Sequence, residues 1–313
     1  MITRIIDRIR VERASRIREA KFHALINENV LRIGEIQFKK SGNTTTDKEI
    51  ADFCAGAFEG ETLNRIRVYH QRDKLSLDIG ANIGLYATYL AALCPQGPKV
   101  SVICFEPNIS AYRYLTDHIE TNGLSNVVAL NLACGSNNEE SQLFLNSEDN
   151  TSVFASETRL LDSAALKMRK VRLDDFLLAN PSPVESGFPS ATVSTGCLLD
   201  TNSYKNGPIG FIKVDVEGFE NEVFAGACQL LRRDSPDLCF EINLTNWAFR
   251  DLSLRSVFDL LQSMDYSVYF ESEAGGIKKI ESLRFSARVF NVHAFHQSRV
   301  KYVESLFQAK VRA

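Results

Sequence analysis

The stretch LSLDIGANIGLYATYLAAL, Leu75 to Leu93, decides the fold. Leu75 to Ile79 reads as a short apolar strand, Gly80-Ala81-Asn82-Ile83-Gly84 as a glycine-bearing turn, and Leu85 to Leu93 as a helix stopped by Pro95 and Pro98. Outward from it, strands and helices alternate. Val100 to Phe105 is a continuous apolar run, as a strand buried on both faces requires, and it ends at Glu106-Pro107. The next helix takes Asn108 or Ser110 as its cap, packs through Tyr112, Leu115 and Ile119, and closes at Asn122-Gly123. Further strands are expected at Val127 to Cys134, Ile209 to Val214 and Leu238 to Ile242. Helices run from Phe219 to Arg232 and from the cap Ser253 to Met264, and Tyr266–Phe270 and Ala287–Phe295 form a terminal pair of strands near one edge. This alternation builds an α/β fold, a mostly parallel sheet with helices on both faces.

Composition bounds what such a fold can do. The chain has 313 residues, 44% hydrophobic and 24% charged, an ordinary globular balance. Its 36 Lys+Arg against 39 Asp+Glu leave a net charge of −3, which argues against a nucleic-acid partner. No apolar run approaches the roughly 18 residues of a membrane-spanning helix, so no transmembrane segment is expected. The seven cysteines are odd in number and never spaced C-x-x-C, and they read as reduced core residues. His23, His70, His118, His293 and His296 are too scattered for a zinc site. With no secretory signal at its start, the chain is expected to be cytoplasmic.

Three regions are expected. Residues 1–46 form a basic helical N-terminal extension, in which Arg4, Arg8, Arg10, Arg13, Arg16, Arg18 and Lys21 outweigh the acids. It reads as a solvated helix packed on the domain, or as an amphipathic helix making peripheral contact with an anionic membrane or a partner. Residues 47–295 form the main domain, which begins with a helix from Asp47 to Phe58. Between Gly135 and Gly207 it is irregular, with strands at Gln142–Leu145 and Val171–Leu173 and a Ser/Pro/Gly-rich insertion at about 180–208, a lid or a surface excursion. Residues 296–313 form a helical tail.

In an open α/β sheet, ligands bind beyond the carboxyl ends of the strands where strand order reverses. Three such ends carry polar residues. At the first, Gly80 lets the backbone turn and approach a ligand, Gly84 lets the helix sit close to the strand, and the helix amides favour an anionic group. At the second, Glu106 can accept both hydroxyls of a ribose. A nucleoside cofactor follows. It need not be a dinucleotide, because Asn82 and Leu85 stand where the G-x-G-x-x-G fingerprint needs glycines. Asp78, two positions before the first glycine, suits an ammonium group, and S-adenosylmethionine has a ribose, an ammonium, a carboxylate and a sulfonium. The third end is Lys213-Val214-Asp215-Val216-Glu217-Gly218. Alternation puts Lys213 and Asp215 on one face, and Gly218 breaks the strand. Asp215 and Glu217 can bind an acceptor hydroxyl and take its proton, or hold Mg²⁺, with Lys213 keeping them ionised. A structural ion-pair cluster at a helix N-terminus is the competing reading.

DIGANIG at 78–84, FEP at 105–107, TNG at 121–123, ALNLACG at 129–135, RLDDF at 172–176, IKVDVEGFENEVFAGA at 212–227 and FEIN at 240–243 together resemble the FkbM-type family of S-adenosylmethionine-dependent methyltransferases. The resemblance spans Asp47 to Asn243. It implies a Rossmann-like seven-strand sheet with the last strand antiparallel, and methyl transfer to hydroxyl oxygens of polyketides or saccharides. It implies that Gly80, Asn82 and Gly84 surround the methionine end of the cofactor, with Asp78 nearby and Glu106 on the ribose. Ala133 stands where many methyltransferases carry an acid for the adenine, so the backbone at Ala133 and Cys134 would serve instead.

The resulting expectation is O-methylation of a saccharide or other small-molecule acceptor. Asp215 is the base or acceptor ligand, Glu217 and Lys213 support it, and Asn243 and Trp247 lie near the acceptor. Trp247 either stacks on a sugar face or is a structural tryptophan. The rivals are an inactive S-adenosylmethionine-binding interaction module and a nicotinamide-dependent dehydrogenase.

Overall fold

A computed structural model describes residues 30–40, 44–56, 58–94, 99–145, 153–154, 164–178, 207–250, 253–272, 276–281 and 289–312. The arginine-rich start and nearly all of the 180–208 insertion lie outside the described residues. The chain divides into two compact units, Met1–Asn64 and Arg65–Ala313.

In the first unit, β1 (Val30–Ile33) and β2 (Ile36–Lys39) pair antiparallel, and α1 (Thr44–Ala55) follows. This hairpin falls inside the 1–46 stretch expected to be helical. Leu31, Ile36 and Phe38 are buried while Arg32 and Lys39 are exposed, a period of two that no helix satisfies. Phe38 meets Phe53 of α1 edge-on at 5.8 Å between ring centroids. Helix α2 (Gly60–Tyr69) carries the chain across the division.

The second unit is built on β3 (Leu75–Ile79), α3 (Leu85–Leu93), β4 (Val102–Phe105), α4 (Ile109–Thr121) and β5 (Val127–Leu130). A side sheet follows: β6 (Ala133–Gly135), β7 (Glu139–Leu145), β8 (Val153–Phe154) and β9 (Ala164–Arg172). After α5 (Leu173–Leu178), the main sheet resumes with β10 (Ile209–Val214), α6 (Glu220–Gly226), α7 (Cys228–Asp234), β11 (Asp237–Asn243) and α8 (Leu244–Phe249). It ends with α9 (Leu254–Gln262), β12 (Tyr266–Glu271), β13 (Ile277–Lys279), β14 (Val289–His296) and α10 (Gln297–Arg312).

The main sheet runs in the order β13-β12-β14-β11-β10-β3-β4-β5. It has eight strands where seven were expected, because the three-residue β13 adds to the edge at β12. The last strand, β14, is antiparallel to both of its neighbours, as expected. Strands β3, β10 and β4 are buried along their whole length, which explains their unbroken apolar sequences. From β3 the chain steps one way to β4 and β5 and the other way to β10 and β11, so strand order reverses between β3 and β10.

Two expected elements are each split in two. The run Val127 to Cys134 contributes β5 to the main sheet and β6 to the side sheet. Between them Asn131 turns away and donates through Nδ2 to the carbonyls of Glu106 and Pro107 at 2.8 and 3.0 Å. The helix expected over Phe219–Arg232 breaks at Ala227. There the buried Asp174 accepts the backbone N–H groups of Gln229 and Leu230 at 3.0 and 2.9 Å, capping α7 as a separate helix.

Candidate active site at the strand-order reversal

Parallel register assembles the site. Lys213 pairs with Asp78 on one side and with Cys239 on the other, and Val214 pairs with Ile79 and Phe240. One residue further on, Gly80, Asp215 and Glu241 therefore stand in a row at the carboxyl ends of β3, β10 and β11.

Gly80 and Ala81 both donate to the carbonyl of Phe105, at 2.9 and 3.0 Å, folding the turn over the end of β4. Gly80 has φ +79°, and a Cβ there would lie 1.8 Å from the carbonyl oxygen of Asp215. Only glycine fits. Gly84, with φ +88°, would meet Leu115 at 2.5 Å, so its missing side chain lets α3 and α4 close together.

Glu106 is 5% exposed and accepts the backbone N–H of Asn82 on Oε2 at 2.8 Å and that of Asn108 on Oε1 at 2.7 Å. Each oxygen keeps a lone pair for a further donor. Burial pushes the carboxyl up to about 7, against the pull of those two amides. Asp78 is 1% exposed; burial raises it to about 7 while Lys213 draws it down, and it accepts from the backbone of Ala87 in the first turn of α3. Its Oδ2 has no hydrogen-bond partner, and neither does the buried Oδ1 of Asn82, whose backbone is left-handed at φ +49°. Neither atom has a hydrogen-bond partner within the described residues, so each can receive a donor from a bound ligand.

Lys213 is fully buried, donates to Asp215 Oδ2 at 3.0 Å and lies 5.0 Å from the ring centroid of Tyr86. Glu217 has φ +53° and accepts on Oε2 from Asn246 at 2.6 Å and, more distantly, from Asn243 at 3.5 Å. Burial and the neighbouring Asp215 push Glu217 up to about 7. Glu220 is locked by the indole N–H of Trp247 at 2.9 Å and by the backbone N–H groups of Gly218 and Val216. Arg250 ties this loop down: its guanidinium lies 3.5 Å over Phe219, and it donates to the carbonyl of Gly218 and to Glu222.

The structure thus brings Asp78, Gly80, Asn82, Gly84, Glu106, Lys213, Asp215, Glu217 and Asn243 to one end of the sheet. Of the two readings of Trp247, the structure fits the structural tryptophan and not the acceptor-stacking ring: it is 2% exposed, belongs to the core, and spends its N–H on Glu220. Ala133 begins β6 and pairs with Lys170 in the side sheet. Sequence reasoning missed Glu241. Carboxylate oxygens of Asp215, Glu217 and Glu241 all lie within 4.8 Å of one another. The signal was available, since aligning FIKVD against DLCFE as parallel neighbours puts Asp215 beside Glu241.

Residues 189–268 match a family model described as the methyltransferase FkbM domain. That span contains β10, β11 and the carboxylate group, whereas DIGANIG and FEP lie before it. No curated protein matches the chain. The crystal structure of methyltransferase FkbM from Methylobacillus flagellatus KT aligns at 15% identity and a TM-score of 0.41, covering 88% of this chain and 58% of that one, so this chain spans less than two thirds of its length. M. jannaschii TYW2 in complex with AdoMet aligns at 13% identity and a TM-score of 0.39, over 85% of this chain and 83% of that one. Precorrin-6y C5,15-methyltransferase from Geobacter metallireducens GS-15 aligns at 12% identity and a TM-score of 0.37, over 76% and 87%. Over residues 189–268 this chain matches the methyltransferase FkbM domain, the family that its sequence motifs resemble.

Proposed function

We propose that this protein is an S-adenosylmethionine-dependent methyltransferase that methylates a hydroxyl group on a saccharide or another small acceptor. One observation carries the reading: a buried carboxylate with spare lone pairs, Glu106, sits across the same turn from two orphaned buried acceptors, Asp78 Oδ2 and Asn82 Oδ1. A vicinal diol suits the first and an ammonium group the second, and S-adenosylmethionine carries both.

Bound there, this cofactor supplies a methyl group already activated by its sulfonium. The protein's share is to hold the acceptor oxygen in line and to keep water out, and alignment of that kind contributes roughly 7–11 kcal/mol. Asp215, paired with Lys213 through Oδ2, keeps Oδ1 for the acceptor hydroxyl and takes its proton. Glu217, fixed by Asn246 and Asn243, orients the acceptor beside it. The backbone at Ala133 flanks the base of the cofactor.

The test is methyl transfer from labelled S-adenosylmethionine to a panel of glycosides and other hydroxyl compounds. Wild type should transfer, and Asp215→Asn should lose about 10²- to 10⁴-fold in kcat with cofactor binding unchanged. A variant that turns over at the wild-type rate contradicts the assignment of the base.

A further inference from the structure

Strand β10 ends at Val214, so Asp215 and Glu217 stand on the turn beyond it, and where they point depends on how that turn is held. Glu217 has a left-handed φ of +53°, uncommon for a residue with a side chain, and Gly218 follows at +99°. Such a backbone persists where its surroundings determine it. The determinant is Glu220, whose side chain is buried. Its Oε1 accepts the backbone N–H of Val216 at 3.3 Å and that of Gly218 at 3.2 Å. These two N–H groups belong to the peptides that directly follow Asp215 and Glu217, so one carboxylate oxygen fixes the chain beyond both acids. Its Oε2 accepts the indole N–H of Trp247 at 2.9 Å. Trp247 comes from α8, which lies against the turn: a Cβ on Gly218 would sit 3.3 Å from that of Asn246 and 3.6 Å from Cδ1 of Trp247.

We propose that Trp247 is a positioning residue for methyl transfer: acting through Glu220, its indole N–H holds the Val216–Gly218 turn in the conformation that presents Asp215 and Glu217 to the acceptor. The inference rests on the proposed function for the reaction this turn serves, and goes beyond it in giving a core tryptophan a share in turnover. Without the indole N–H, Oε2 is a buried carboxylate oxygen that has lost its donor. The carboxylate then swings toward other donors, and Oε1 leaves the two amides that it held. In-line attack tolerates little misplacement of the acceptor oxygen, so the loss falls on the transfer step. Cofactor affinity does not follow, because Glu106 is held by the amides of Asn82 and Asn108 instead.

Two variants of the full chain and their combination provide the test. Trp247→Phe keeps an aromatic ring and deletes the N–H. Glu220→Gln keeps the shape of the side chain but turns the oxygen facing the indole into an NH₂, so that two donors oppose each other. Amide hydrogen exchange resolved by NMR reads the turn, and methyl transfer from labelled S-adenosylmethionine to the panel of hydroxyl compounds reads the chemistry. Each single variant should speed exchange at Val216 and Gly218 about tenfold and lower kcat about tenfold. The KM for S-adenosylmethionine and the Kd for S-adenosylhomocysteine should stay within about twofold of wild type. The double variant should be no worse than Glu220→Gln alone, because the phenyl ring removes the opposing donor, a coupling that two separate packing losses do not produce. Glu220→Gln carries the test alone if Trp247→Phe does not fold. Unchanged exchange at both amides, faster exchange with kcat unchanged, or losses that multiply in the double variant overturn the proposal and leave the proposed function in place. The exchange comparison needs no acceptor, so it decides whether Trp247 holds the turn even where wild type transfers no methyl, an outcome that overturns the proposed function instead.

Discussion

Asp78, Glu106, Glu217 and Glu220 are each pushed by burial to about 7, from ordinary values of 3.8 for Asp78 and 4.5 for the glutamates. Between the ordinary and the raised values, the unfolded chain has released protons that the folded chain still holds. The unfolded state then binds fewer protons, so stability falls as pH rises through this window, and the penalty is complete above about 7. Each buried carboxyl contributes on the order of 1 kcal/mol between pH 6.5 and 8. The apo protein should therefore melt at a higher temperature at pH 6.5 than at pH 8; a flat or opposite profile contradicts the described burial. At this scale the sequence was informative where a residue's role followed from its place in the chain. Asp78 and Glu106 stand at strand ends flanked by turn residues, and both could be named. Glu241 could not be named from its own segment, because FEIN reads as the tail of a strand and its significance arises from the neighbour across the sheet. Trp247 left two readings open in the sequence, a sugar platform or a structural tryptophan, because the buried Glu220 that claims its N–H lies 27 residues away in the chain.

At the scale of elements, the parallel core of the sheet was readable because buried strands leave continuous apolar runs. The breaks were not. Asp174 lies in RLDDF, far in sequence from the helix it caps. It accepts from Gln229, from Leu230 and, at 2.7 Å, from Arg172 NH2. Asp174→Ala leaves two helix amides and a half-buried guanidinium without their acceptor and should destabilise the second unit by roughly 2–4 kcal/mol. Asp174→Asn, which can still accept from the amides, should cost clearly less. Thermal unfolding followed by circular dichroism separates the two variants, and indistinguishable melting temperatures contradict the capping role. The β1–β2 hairpin was missed because its strands are four residues each, too short for a period to stand out beside the basic run before them. Strand β13 was missed for the same reason.

For the molecule as a whole, the fold directs the chemistry to one place. The chain leaves β3 in one direction and returns through β10 on the other side, so strand order reverses there, where the fold class places its ligand crevice, beside the turns after β3, β4, β10 and β11. Carboxyl groups gather there, although the net charge of the chain is only −3, so composition alone gave no hint of it. On the proposed function, this end of the sheet holds an adenosyl cofactor by its sugar and its amino group. Diffraction from crystals grown with saturating S-adenosylhomocysteine tests it most directly. The predicted result is a ligand whose ribose hydroxyls both lie within hydrogen-bond distance of the Glu106 carboxylate and whose amino group meets Asp78 Oδ2. Density for the ligand elsewhere, or a Gly80–Gly84 turn closed over an empty crevice, contradicts the claim.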